Sequence, residues 1–204
     1  MKGRLFIITS PSGGGKGTLI REVLRTTANV GYSVSFTTRA ARAGEEHGVH
    51  YYFVSPEEFE KLIAENAFLE YAKVHGNYYG TSRAQVESEI NLGRDIILEI
   101  DVQGAEIVKN LMPEAVGIFI LPPSFDVLRQ RLTARQTEAE ADLQLRLANS
   151  KLEVEKYKEF DYVVINDELL KASQNLQAVF LAERQRLERQ TATIETIIET
   201  FRKS

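Results

Sequence analysis

A short apolar run, Arg4 to Thr9, opens directly into Ser10-Pro11-Ser12-Gly13-Gly14-Gly15-Lys16-Gly17-Thr18, and no other stretch limits the fold so strongly. The run is rich in β-branched residues and reads as a buried strand, and Thr18 to Leu24 has helical spacing. Strand, glycine turn and helix in that order form the first half of a βαβ unit. Gly13, Gly14 and Gly15 let successive N–H groups point into one concavity, the helix start adds its dipole, and Lys16 supplies a cation. Such a concavity takes a phosphate. The candidate binding residues are Ser12, Gly13, Gly14, Gly15, Lys16, Gly17 and Thr18. The usual pattern, G-x-x-x-x-G-K-[ST], is broken at both ends: Ser10 replaces the first glycine, and Gly17 takes the hydroxyl position. A hydroxyl there commonly ligates Mg²⁺, so Mg²⁺ is expected to be held mainly by ATP phosphates and water, with no protein metal site.

The rest of the chain extends the α/β pattern. Asp95 to Ile100, Val116 to Leu121 and Phe160 to Ile165 read as buried strands. Helical segments separate or flank them: Gly104 to Leu111, Phe125 to Leu132 and Glu138 to Tyr157. Strands alternating with helices imply a mainly parallel sheet covered on both faces. From Ser33 to Gly93 the pattern changes to a small α+β insertion, with strands at Ser33 to Thr38 and Val49 to Val54. Ser55-Pro56-Glu57-Glu58 starts a helix, Gly76-Asn77 makes a hairpin turn, and Ser82 and Gly93 bound another helix. Near the end, Ile194, Ile197, Ile198 and Phe201 form a helical apolar stripe, expected to pack on the body of the protein. A subunit contact, and so a homo-oligomer, stays open.

Composition narrows the function classes. The formal net charge of −4 argues against a nucleic-acid binder, without excluding a small anion met by a few arginines. The chain has no cysteine, which removes disulfides, zinc-thiolate sites and thiol catalysis and fits a reducing cytoplasm. The apolar run from Leu5 to Ile8 is too short for a signal peptide, and no segment reaches a membrane-spanning length. A cytoplasmic protein with neither membrane nor nucleic-acid partner is expected.

A second cluster of arginines and tyrosines gives the phosphate loop a context. Arg39 and Arg42 lie close together in a loop, and arginine forks suit a phosphate dianion. Taken with SPSGGGKGT, SFTTRAARAGEEHGVHYYFV, FLEYAKVHGNYYGTS, LEIDVQGA, FILPPS, RLTAR and YVVIND, the chain resembles the guanylate kinase family over essentially its full length. That resemblance implies a P-loop core (1–32, 94–125 and 156–204), a GMP-binding insertion (33–93) and a mobile lid (126–155). It implies transfer of the γ-phosphoryl group of ATP to GMP, and to dGMP. It further implies that Arg39, Arg42, Tyr51 and Tyr79 hold the GMP phosphate and that Ser35, Glu70, Thr81 and Asp101 read the guanine.

Glu45 is expected in the same network. Glu99 stands where the family usually has aspartate, and Asn166 joins the ATP site. The resemblance also implies that Lys16, Arg39, Arg131, Arg135 and Arg146 carry the catalytic positive charge, the last three from the lid. The chemistry agrees at Glu70: a carboxylate can accept from guanine N1–H and N2 together, whereas adenine would leave it facing an acceptor. The GKGT tetrad also resembles the adenylate kinase loop, but Glu70 and the arginine–tyrosine cluster favour GMP. A non-catalytic scaffold module would be expected to lose Lys16 and the lid arginines, which are present here. His47, His50 and His75 read as loop or packing residues.

Overall fold

The computed structural model describes residues 2–74, 76–134 and 140–203. Leu5–Thr9 (β1) is the middle strand of a five-stranded sheet, and each of its residues is buried. It runs into the glycine turn and then helix α1, Lys16–Thr26, which takes in Lys16 and Gly17 as well as the expected segment. Val30–Tyr32 (β2), Asp95–Glu99 (β7), Val116–Leu121 (β8) and Tyr162–Ile165 (β9) complete the sheet in the order β2-β7-β1-β8-β9, every pairing parallel. Strand alternation sends Phe6 and Ile8 to one face and Leu5 and Ile7 to the other. The first pair packs with Leu19, Ile20 and Val23 of α1 and with Leu176 and Phe180 of α7, Leu169–Arg184. The second pair packs with Val86 of α3, Arg83–Asn91, and with Ala105 and Val108 of α4, Val102–Leu111. Both faces are covered, as a parallel sheet requires.

The insertion carries a second, four-stranded sheet in the order β4-β3-β6-β5: Tyr52–Phe53, Phe36–Thr37, Asn77–Ser82 and Phe68–Val74. Beside it lies α2, Pro56–Ala64, capped by the Ser55 hydroxyl, which accepts from Glu58 N–H. Phe59 of α2 is fully buried and stacks on Phe68 at 4.5 Å, and Phe36 stacks on Tyr52 at 4.7 Å. Val74 pairs with Asn77, and Gly76 turns the chain at φ 83°.

Two insertion strands are shorter than the sequence implies. Ser33 N–H donates to Ile97 O of the main sheet and Ser35 O accepts from Tyr52 N–H of the smaller one, so the chain crosses between the sheets here and the paired strand is Phe36–Thr37. Val49 and His50 N–H both go to the Glu46 carbonyl, which makes that stretch a turn.

Beyond β8 come α5, Phe125–Thr133, and α6, Glu140–Glu153, which tightens into a 3₁₀ segment at Val154–Glu159. The expected continuous helix from Glu138 to Tyr157 is therefore corrected at its end, and its first residue lies outside the described ones. Helix α8, Leu187–Arg202, meets its expectation in part. None of its residues is buried, and Ile197 and Phe201 are 51% and 76% exposed. Ion pairs from Glu188 to Arg4 and from Arg189 to Asp95 fasten its start, and along the apolar stripe Ile194 and Ile198 are half-buried. Among the described residues, no helix is long and apolar enough to cross a membrane.

Candidate active site

The phosphate loop leaves the carboxyl end of β1, where open α/β sheets gather their ligands. Gly13 and Gly15 adopt φ 87° and 84°, the left-handed region that favours glycine. Space adds a second reason: a Cβ on Gly15 would collide with Asn166 Nδ2, and one on Gly13 would meet Leu132 Cγ at 2.9 Å. Gly15 is also the N-cap of α1, with no side chain capping the helix, so this end depends on what enters the loop. Lys16 Nζ donates to Ile100 O at 3.2 Å and lies 3.9 Å from Glu99 Oε1.

Residues distant in sequence converge here. Asn166, at the end of β9, is 6% exposed and donates through Nδ2 to Gly14 O at 2.8 Å. Arg131 of α5 donates to Asn166 O (3.0 Å) and Gly14 O (3.4 Å). Arg146 Nε donates to Ser12 Oγ at 2.8 Å, and Ser12 N–H donates to Glu153 Oε2 at 3.1 Å. Thr18 Oγ1 accepts from Arg21 within α1. Arg135 lies outside the described residues, as does His75.

The insertion presents the arginine–tyrosine cluster. Arg39 lies over the Tyr51 ring at 5.3 Å and donates to Glu45 Oε1 at 2.9 Å, and Glu45 Oε2 accepts from Arg42 N–H at 2.8 Å. The hydrogen bond with Glu45 holds Arg39 above its ordinary pKa, and the same bond lowers Glu45. Tyr51 and Tyr79 meet edge to face at 5.9 Å. Burial pushes the Tyr51 hydroxyl up to about 12, helped by the charge of Glu99, so it stays a donor at neutral pH. The Arg42 side chain is exposed and Ser35 half-buried.

Deeper in, Thr81 Oγ1 donates to Glu70 Oε1 at 2.6 Å, and both residues are buried. Burial raises the Glu70 carboxyl to about 7, against the lowering by Thr81 and with a further push from Asp101. Asp101 caps α4, Oδ1 accepting from Gly104 N–H at 2.8 Å. His47 and His50 accept backbone N–H groups within their own loop.

Glu99 joins the two groups. Its carboxylate approaches Lys16 on one side and accepts from Tyr32 OH at 3.1 Å on the other. Sequence reasoning missed Tyr32 and Glu153. Tyr32 sits on a three-residue strand without an apolar run, and Glu153 is one of many glutamates on a charged helix. Among the described residues no three His, Asp or Glu side chains are placed to hold a metal ion together. A Cβ at Gly17 would stand 3.7 Å from Glu99 Oε1, so this position offers one nearby carboxylate and room beside it. Such a donor set suits a hard cation that keeps phosphate and water ligands.

The family model described as Guanylate kinase matches residues 2–183. The chain is 52% identical to the guanylate kinase of Neisseria meningitidis serogroup A over 198 residues, 97% of each chain. It is 48% identical to that of Dechloromonas aromatica over 182 residues, 89% of this chain and 90% of the relative. The crystal structure of guanylate kinase from Anaplasma phagocytophilum superposes with a TM-score of 0.82 at 33% identity, covering 98% of this chain and 96% of that one.

Proposed function

The chain belongs to the guanylate kinase family of nucleoside-monophosphate kinases, and we propose that it transfers the γ-phosphoryl group of ATP to GMP, and to dGMP, by direct in-line displacement. The observation that carries the acceptor assignment is the buried Glu70 carboxylate, held at Oε1 by Thr81. A carboxylate there can take the paired N1–H and N2 donors of guanine, and Ser35 and Asp101 complete the base site. Arg39, Arg42, Tyr51 and Tyr79 bind the GMP phosphate, and Glu45 keeps Arg39 aimed at it. Residues 33–93 thus form the GMP-binding subdomain, 126–155 the lid, and the remainder the core.

On the donor side, Ser12 to Thr18 cradle the ATP phosphates, and Asn166 braces the loop. Lys16, Arg131, Arg135 and Arg146 stabilise negative charge on the transferring group. Mg²⁺ bound with ATP would neutralise charge shared by the phosphates, held by them, by water and beside Glu99. A general base is unnecessary, because the second pKa of the acceptor phosphate is ~6 and the dianion is already nucleophilic at neutral pH. Lid closure excludes water and suppresses ATP hydrolysis. The protein acts in the cytoplasm on free nucleotides.

ADP release measured with GMP, dGMP, AMP and UMP, each with a Mg²⁺ titration, tests the assignment. GMP and dGMP should turn over, and preferential use of AMP would sink it. Lys16→Ala should sharply lower turnover while GMP still binds, and near-normal turnover would remove the loop from the chemistry.

A further inference from the structure

Ser12 is gripped twice by α6. Its hydroxyl accepts from Arg146 Nε at 2.8 Å, and its N–H donates to Glu153 Oε2 at 3.1 Å. Arg146 and Glu153 stand two helical turns apart and so lie on one face of α6. Between them Leu147 is buried against Leu128 and Leu132 of α5, and Leu132 lies against Gly13. The lid helix is therefore seated on the phosphate loop by an apolar contact flanked by two polar ones.

The polar contacts differ in what ATP would do to them. An incoming phosphate attracts Arg146 away from a neutral hydroxyl, because a charge-assisted bond to phosphate is the stronger one. Glu153 has no such inducement. A carboxylate gains nothing by turning towards a polyanion, and its partner Ser12 N–H stands at the very start of the Ser12-to-Thr18 stretch assigned to the phosphates. One contact can be exchanged while the other holds.

We propose that Glu153 is a positioning residue for ATP: it tethers α6 to the phosphate loop through Ser12 N–H, so that Arg146 reaches the phosphates from a fixed base. The inference rests on the proposed reading of Arg146 as a phosphate ligand. It also runs against the simplest electrostatic expectation, that a carboxylate near an ATP site only repels ATP. Removing a mere repulsive charge would tighten ATP binding, whereas removing a tether weakens it.

The experiment is initial-rate kinetics on Glu153→Ala, Glu153→Gln, Arg146→Ala and the double variant, at saturating GMP over a range of ATP. Glu153→Ala should raise the ATP KM about tenfold, as the loss of a hydrogen bond to a charged group would, while the GMP KM stays within about twofold of the original. Glu153→Gln, which retains an acceptor for Ser12 N–H, should recover most of that loss. In the Arg146→Ala background, Glu153→Ala should raise the ATP KM no further, because the tether acts through Arg146. An unchanged or lowered ATP KM in Glu153→Ala overturns the proposal, as does an equal rise in both KM values or a Gln variant as impaired as Ala. Arg146→Ala alone tests the underlying reading. Normal kcat there removes the role of Arg146, whereas a crippled Arg146→Ala beside a near-normal Glu153→Ala removes only the tether.

Discussion

Glu70 is the residue whose chemistry depends most on its surroundings. Burial lifts its carboxyl from an ordinary 4.5 to about 7, so near neutrality the free protein holds it partly protonated. The proposed guanine contact needs the carboxylate, since only that form offers acceptors to both N1–H and N2. GMP binding should therefore expel a proton. With one group titrating, the Kd for GMP should rise as pH falls below about 7, by up to roughly tenfold per unit. The useful window is about pH 6 to 8, because the GMP phosphate itself titrates near 6. Calorimetry in buffers of different ionisation enthalpy should show the proton released near pH 6.5, and Glu70→Gln should abolish that release. A Kd independent of pH across the window would detach Glu70 from the base. Stability has the opposite sign. A carboxyl raised on folding contributes stability that is complete below 4.5 and lost as pH rises through about 7. The nucleotide-free protein should thus gain alkaline stability, in urea melts at pH 8, when Glu70 becomes Gln.

At the scale of elements, the phosphate loop shows which departures from a motif are structural. Gly15 combines φ 84° with Asn166 packed against it, whereas a Cβ at Gly17 meets nothing nearer than the Glu99 carboxylate at 3.7 Å. Gly15→Ala should cost about 1–3 kcal/mol in urea unfolding from backbone strain, with ATP binding lost as Asn166 is displaced. Gly17→Ser should fold with its melting temperature nearly unchanged and reach half-maximal rate at lower Mg²⁺, since it restores a hydroxyl where phosphate loops commonly place one. An unaltered Mg²⁺ requirement would show that Glu99 and the phosphates already satisfy the ion.

Elements were legible where local patterning and tertiary packing agree. β1, β7 and β8 are continuous apolar runs because both sheet faces are covered, and the Ser55 and Ser82 caps are visible in the chain. Legibility failed where distant partners decide. β2 exists because Val30, Gly31 and Tyr32 align on β7, not because of their own pattern, and that hid Tyr32 beside Glu99. Motif order pointed to Arg39 with Glu45 and Glu70 with Thr81, pairs that hydrogen-bond in the fold, whereas the grip of α6 on Ser12 joins residues 134 and 141 positions apart.

Across the whole molecule, the two ends of the main sheet carry different burdens. The carboxyl ends of β1 and β7 open onto the loop and Glu99. Their amino ends are closed by two buried carboxylates, Asp95 and Glu183, which are 2% and 1% exposed. Glu183, in the last turn of α7, takes Arg4 Nη1 at 2.6 Å, Tyr162 OH at 2.6 Å and Arg186 Nε at 2.9 Å. One side chain thereby joins the residue before β1, the first residue of β9 and the entry to α8. Asp95 takes Arg184 Nε at 2.8 Å, Arg189 Nη2 at 3.1 Å and Arg4 N–H at 2.9 Å, fastening α7 and α8 to the start of β7. Neither carboxylate approaches the nucleotide sites, so the clamp should govern stability without entering catalysis. Glu183→Ala leaves the half-buried Arg4 with only the exposed Glu188 and takes the acceptor from Tyr162 OH, so it should cost no more than the ~3–5 kcal/mol of a broken buried pair. Glu183→Gln should lose less, since the amide oxygen still accepts from Tyr162 or Arg4. Both variants, assayed below their melting transitions, should retain the kcat and both KM values of the original protein. A loss of activity that precedes unfolding would mean that the closed end of the sheet transmits to the open one, and a full-strength melt in Glu183→Ala would mean that α7 is held by its apolar face alone.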